Sequence, residues 1–114
     1  MHLVILQAWI SHDDFPAEQV PDRYRARNLS DARATHTIFE REIQLPFVPY
    51  PDLIVWVGKG NLADDEVRIA QVIYDMVAKR FLCEVNARIT KGATFEQVAM
   101  EYLQSGWTWD ENAG

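Results

Sequence analysis

Two apolar runs of strand length constrain this chain more than any other feature. Leu3-Val4-Ile5-Leu6-Gln7-Ala8-Trp9-Ile10 carries a single polar residue. A run without a wet side is the pattern of a strand buried on both faces, so it belongs in the middle of a sheet. Leu53 to Val57 is the second run, closed by Gly58-Lys59-Gly60, and is predicted to pair with one of the two strands before it. Between the two, residues 35 to 45 alternate. Thr35, Thr37, Phe39, Ile43 and Leu45 fall on one side and His36, Glu40, Glu42 and Gln44 on the other. That reads as a half-buried strand, although Arg41 and Ile38 break the alternation and a short helix capped by Ser30 competes with it. Pro46-Phe47-Val48-Pro49-Tyr50-Pro51 excludes helix and makes a stiff connection, because each proline removes a donor and pushes its predecessor toward extended backbone.

The second half of the chain reads as helical. Asn61 is a candidate cap, Asp64, Asp65 and Glu66 suit the positive end of a helix dipole, and Ala63, Val67, Ala70, Tyr74, Val77 and Phe81 recur at helical spacing. Asp64 with Arg68, and Asp75 with Lys79, are acid-first i, i+4 pairs. Cys83, Val85, Ala87 and Ile89 alternate as in a strand, yet the first C-cap signal is Lys91-Gly92, so the helix is predicted to continue to about residue 90. Thr94-Phe95-Glu96-Gln97 matches a capping box and opens a last helix ending near Gly106. The predicted class is α+β: a small sheet of three or four strands, packed on one face by a long helix and a short C-terminal helix. The expected domain is a single one over 1–114, with a long polar loop at 11–34 and a short tail at 107–114. Phe39, Trp56, Tyr74, Phe81, Phe95 and Tyr102 all fall on the predicted apolar faces.

Composition narrows the classes of function. Eleven Lys and Arg against seventeen Asp and Glu give a formal charge of -6, which opposes whole-surface attraction to nucleic acid or anionic lipid. The one Cys, Cys83, cannot form an intramolecular disulfide, which suits a reducing compartment and makes the cytoplasm the expected location. No run reaches the length of a membrane span, and the first ten residues lack the basic region of a signal peptide.

Four groupings invite a chemical reading. Arg23, Tyr24, Arg25, Arg27 and Arg33, with Arg41 beyond them, combine guanidinium forks with an aromatic, as phosphate or base contact would use. Asp22, Asp31, Glu40 and Glu42 dilute that field. His12-Asp13-Asp14 offers ligand types that zinc, manganese or iron accept and would be the centre of a small metal-dependent enzyme, but no paired ligand spacing supports it. A polar turn is the simpler reading, so no metal, cofactor or catalytic residue is assigned. Gly58-Lys59-Gly60-Asn61 is a turn before a predicted helix start rather than a phosphate loop, since no Ser or Thr comes after the Lys and three acids stand close behind it. Phe47 and Tyr50 in the stiff connection, and Trp107 and Trp109 beyond the last helix, are aromatics that either fold back or meet a partner. The expected function is a small non-catalytic module that binds a protein or itself, with an acidic inhibitor or accessory protein as one form and the arginine segment as the nucleic-acid alternative.

Overall fold

The computed structural model describes residues 1–24, 35–57, 66–87, 89 and 91–109. Within them, five strands form one mixed, curled sheet in the order β2-β1-β5-β4-β3: β1 His2–Ser11, β2 His36–Leu45, β3 Ile54–Trp56, β4 Glu66–Asp75 and β5 Arg80–Val85. Among the described residues there is one α-helix, α1, spanning Phe95–Gln104. As the apolar run predicts, β1 is central. It pairs antiparallel with β2 along its whole length, from His2 opposite Leu45 to Ser11 opposite His36, and parallel with β5 from Val4 opposite Phe81 to Ala8 opposite Val85. Val4, Leu6, Ala8 and Ile10 are fully buried on the face that α1 covers. The other face of β1, carrying Leu3, Ile5, Gln7 and Trp9, is only partly closed apart from Ile5.

The predicted three- or four-strand sheet under a long helix is not what forms. Residues 66 to 85 make an antiparallel hairpin, with Tyr74 opposite Phe81 and Asp75 opposite Arg80, and β3 pairs with β4 rather than with either early strand. The physical reason lies in side-chain type and in one turn. Val67, Ile69, Val72, Ile73 and Tyr74 are β-branched or aromatic and fit a pleated surface better than a helix interior. The pair Asp75 and Lys79 brackets a tight turn: Asp75 Oδ1 accepts from the backbone N–H of Val77 and Ala78 at 3.0 and 3.1 Å, and Lys79 takes a left-handed φ of 55°. A spacing read as a helical ion pair is therefore a hairpin loop without Gly, Asn or Pro. The alternation of Cys83 and Val85 was the correct signal for this stretch. With 66–75 and 80–85 paired as strands and β3 at the end of the sheet, two aromatics expected on apolar faces are exposed instead: Trp56 at 66% and Tyr74 at 50%. Asn61, Asp64, Asp65 and the Gly58-Lys59-Gly60 turn lie outside the described residues.

Other expectations hold. The alternation of 35 to 45 is strand β2, with Thr37 and Phe39 buried. The stiff connection ends in a turn at Tyr50-Pro51-Asp52-Leu53, where Pro51 presets the first central residue, Asp52 takes φ 72°, and Leu53 N–H donates to Tyr50 O at 3.2 Å. Helix α1 begins with the predicted capping box. Gln97 N–H donates to Thr94 Oγ1 at 3.2 Å and Thr94 N–H to Gln97 Oε1 at 2.8 Å. Phe95, Val98, Ala99 and Tyr102 are its buried stripe, and Tyr102 stacks on Phe39 with ring centroids 5.1 Å apart. The described part of the 11–34 loop is not merely polar. Three short 3-10 turns, at His12–Asp14, Ala17–Gln19 and Asp22–Tyr24, deliver His12, Phe15, Val20 and Tyr24 to the core.

Candidate functional site

Both ends of the sheet carry candidate residues, and the fold treats them differently. At the β2 end the tail folds back. Gly106 takes φ 91° at the end of α1, and Trp107 N–H returns to Tyr102 O at 3.1 Å, the bond of a Schellman cap. The hydrophobic contact that accompanies such caps is made by Trp107 and Tyr102, edge to face at 5.4 Å, with Trp107 only 2% exposed. Thr108 then pairs with Glu40 through two backbone hydrogen bonds of 2.8 Å, adding a short bridge to the outer edge of β2. Arg41 donates to Ser105 O at 2.7 Å, placing a cation on the negative end of the helix. Trp109 is partly buried against Tyr24, centroids 4.4 Å apart. Of the four aromatics singled out for partner contact, Trp107 and Trp109 therefore serve the core.

The described arginines are also engaged within the chain. Arg23 meets Glu96 at 3.3 Å and lies over the Tyr24 ring at 4.9 Å, while Tyr24 itself is buried with its edge on Phe95. Arg25, Arg27 and Arg33 lie outside the described residues, so the cluster is not assembled among those described. His12 is separated from its neighbours in sequence. Its buried ring hydrogen-bonds through Nε2 with Thr37 Oγ1 at 2.8 Å, and the Thr37 hydroxyl lies 3.3 Å from Tyr24 O, to which it donates, whereas Asp13 and Asp14 face solvent. Among the described residues no three side chains of metal-ligating type converge. Cys83 is fully buried and burial pushes its thiol up to about 11, so at neutral pH it is a protonated core side chain.

At the opposite end, β3 and β4 leave apolar side chains in water. Ile54 and Trp56 on β3, Ile73 and Tyr74 on β4, and Met76 and Val77 at the hairpin tip are 49, 66, 52, 50, 79 and 95% exposed. Phe47 and Tyr50, 45 and 53% exposed with ring centroids 6.4 Å apart, extend this region beside the turn that pairs with Ile69. No family model, no curated protein and no solved structure matches the chain. The functional reading therefore rests on this geometry.

Sequence reasoning found Phe47 and Tyr50 but missed Ile54, Trp56, Ile73, Tyr74, Met76 and Val77. Ile54 and Trp56 belong to the strand predicted over Leu53 to Val57, and Ile73, Tyr74, Met76 and Val77 to the helix predicted to about residue 90, with Trp56, Tyr74 and Val77 on apolar faces. The signal that could have found them is the density of β-branched and aromatic residues from Val67 to Tyr74, which argues strand and so moves alternate side chains to opposite faces. Among the described residues, no helix is long and apolar enough to cross a membrane.

Proposed function

We propose that this protein is a non-catalytic binding module whose contact surface is the β3–β4 end of the sheet, with the hairpin tip. The observation that carries this reading is the open half of β4. Strand β3 and the Asp52–Leu53 turn cover β4 only as far as Ile69, and among the described residues nothing pairs with the outer side of Gln71 to Asp75. An edge strand presents free backbone N–H and C=O groups, and natural proteins blunt such edges with charge, proline or bulges unless the edge has a use. Here a bulge between Ile69 and Gln71 lies where the β3 cover stops, and the segment beyond it, Gln71-Val72-Ile73-Tyr74-Asp75, has no proline and no lysine and is flanked by exposed Trp56, Met76 and Val77. Added strands gain main-chain hydrogen bonds, and exposed aromatics next to them supply the buried anchors of an interface. The single buried thiol is consistent with a cytoplasmic setting.

Photo-crosslinking tests the reading. A photoreactive residue at position 56 or 74, introduced in cells producing the protein, should capture a protein in defined bands, and the same residue at position 100 on the outer face of α1 should not. Capture from position 100 alone, or from no position, would overturn it.

A further inference from the structure

We propose that the outer face of the sheet, along β1, is a docking surface for an amphipathic helix of a partner protein that carries lysine or arginine on both sides of its apolar stripe. This goes beyond the reading of the β4 edge and uses other residues. The two faces of β1 differ. Val4, Leu6, Ala8 and Ile10 belong to the core that α1 closes, whereas Ile5, Leu3 and Trp9 stand outside that core on the other side, the last two only half-buried. Register fixes what flanks them. Ile5 lies between Glu42 of β2 and Leu82 of β5, and Gln7 between Glu40 of β2 and Glu84 of β5. Residues directly opposite share a face of the sheet, so the apolar strip is bordered by two carboxylates on one side and one on the other. Among the described residues none of these carboxylates is in an ion pair. Arg80 is held by Asp75, and Arg41, opposite Leu6, is on the inner face and donates to Ser105 O.

Charge and spacing both select a basic helix. Like charges gathered on one sheet face repel, and a cation-bearing partner relieves that repulsion, while the same carboxylates oppose nucleic acid and anionic lipid. Glu40 and Glu84 are two strand spacings apart, about 9.5 Å, and a helix with its side chains is about 10–12 Å across. A helix laid along β1 therefore sets its two flanks over the two acidic borders. Along β2, Glu40 and Glu42 are separated by about 6.6 Å, close to the rise of about 6 Å between helical residues four apart, so cations at i and i+4 meet both. The polar residue in the strip is already engaged: Gln7 Nε2 donates to Glu40 Oε2 at 2.7 Å, and Gln7 Oε1 accepts from Trp9 Nε1 at 3.4 Å. Both ends of that amide keep a partner when the face is covered.

The experiment uses the intact chain and a synthetic peptide of leucine and lysine in which lysines border a leucine stripe at helical spacing, with a scrambled peptide of the same composition as control. Calorimetric titration should show the ordered peptide binding, more weakly as salt rises, and the scrambled one binding roughly tenfold less tightly for want of an apolar stripe. On the unmodified protein, the amide NMR signals that move should be those of β1, β2 and β5. Glu40→Gln combined with Glu42→Gln and Glu84→Gln should weaken binding roughly tenfold. Asp13→Asn combined with Asp14→Asn and Glu18→Gln removes the same charge from exposed 3-10 turns and should weaken it by less than about twofold. Glutamine at 40 keeps an acceptor for Gln7, so the far-UV spectrum should be unchanged. Absence of binding, equal binding of the scrambled peptide, signals that move only outside these strands, or equal losses in the two triple variants would overturn the proposal. Crosslinking from positions 56 and 74 is measured separately, so failure of this face and failure of the β4 edge are distinguishable.

Discussion

The two edges of the sheet solve the same problem in opposite ways. On the β2 side the chain closes its own edge: α1 ends in a left-handed glycine, Trp107 turns into the core, and Thr108 hydrogen-bonds to Glu40 through both its N–H and its C=O. On the β4 side five residues of edge are left open beside a group of exposed apolar side chains. The difference teaches that this fold can cover an edge when it needs to. An edge left bare beside Trp56, Tyr74, Met76 and Val77 is then a feature to be explained by contact with something else, in keeping with the proposed function.

The comparison breaks most sharply if the closed edge is reopened. Trp107→Ala removes a side chain that is 2% exposed and packed edge to face on Tyr102, and is expected to cost about 3–5 kcal/mol, read from the urea midpoint. Trp107→Phe should cost clearly less, because Trp107 Nε1 is buried with no hydrogen-bond acceptor and phenylalanine deletes that unsatisfied donor. Gly106→Ala comes next. Its φ of 91° is a conformation that alanine adopts only with strain, and a Cβ there would stand 3.4 Å from the Arg41 guanidinium, so a loss of about 1–3 kcal/mol should appear in the same measurement. Changes at the open edge should be far gentler on the fold. Trp56→Ser and Tyr74→Ser are expected to shift the urea midpoint by no more than about 0.5 kcal/mol, while both reduce capture in the crosslinking experiment. Equal destabilisation at the two ends would erase the distinction between them.

An effect that is absent at neutral pH lies between the edges, at Cys83 on β5. Burial holds its thiol protonated up to about 11, above the ordinary 9.0 of the unfolded chain. Over that interval the unfolded state loses a proton that the folded state keeps, so stability falls as pH rises from 9.0 toward 11 and is unaffected by this group below 9.0. The thermal midpoint of Cys83→Ala should therefore decline less steeply across that window than that of the unmodified protein.

How much of this architecture is legible in the residues differs from segment to segment. The central place of β1 comes from its run of apolar residues, and the α1 capping box from Thr94 and Gln97. Both are local signals with one physical solution. The hairpin from Glu66 to Val85 was not legible in the same way, because Val67, Ala70, Tyr74, Val77 and Phe81 satisfy a helical repeat by position while their neighbours Ile69, Val72 and Ile73 favour a strand by shape. Its turn is held by Asp75 and a left-handed Lys79, neither of which announces a break. The candidate surface inherited that ambiguity. Phe47 and Tyr50 could be found because proline fixes their segment whichever element comes after it, whereas Trp56 and Tyr74 change from core to surface according to whether the next element is a helix or a strand. At the tail, Gly106 marked the end of α1, but the edge that Thr108 joins belongs to β2 and could not be inferred from the tail alone.

The parallel pairing of β1 with β5 sets the order of events when the chain folds. The β4–β5 hairpin closes over four residues and can form quickly, but β1 must wait for Arg80–Val85 before its second edge is satisfied. Until then its apolar run has only β2 to lean on, and the loop to be closed spans most of the chain. Folding is therefore expected to be slow for a domain of this size, limited by a late docking of the hairpin against β1. On a ribosome, β1 emerges well before the β5 strand that completes its second edge.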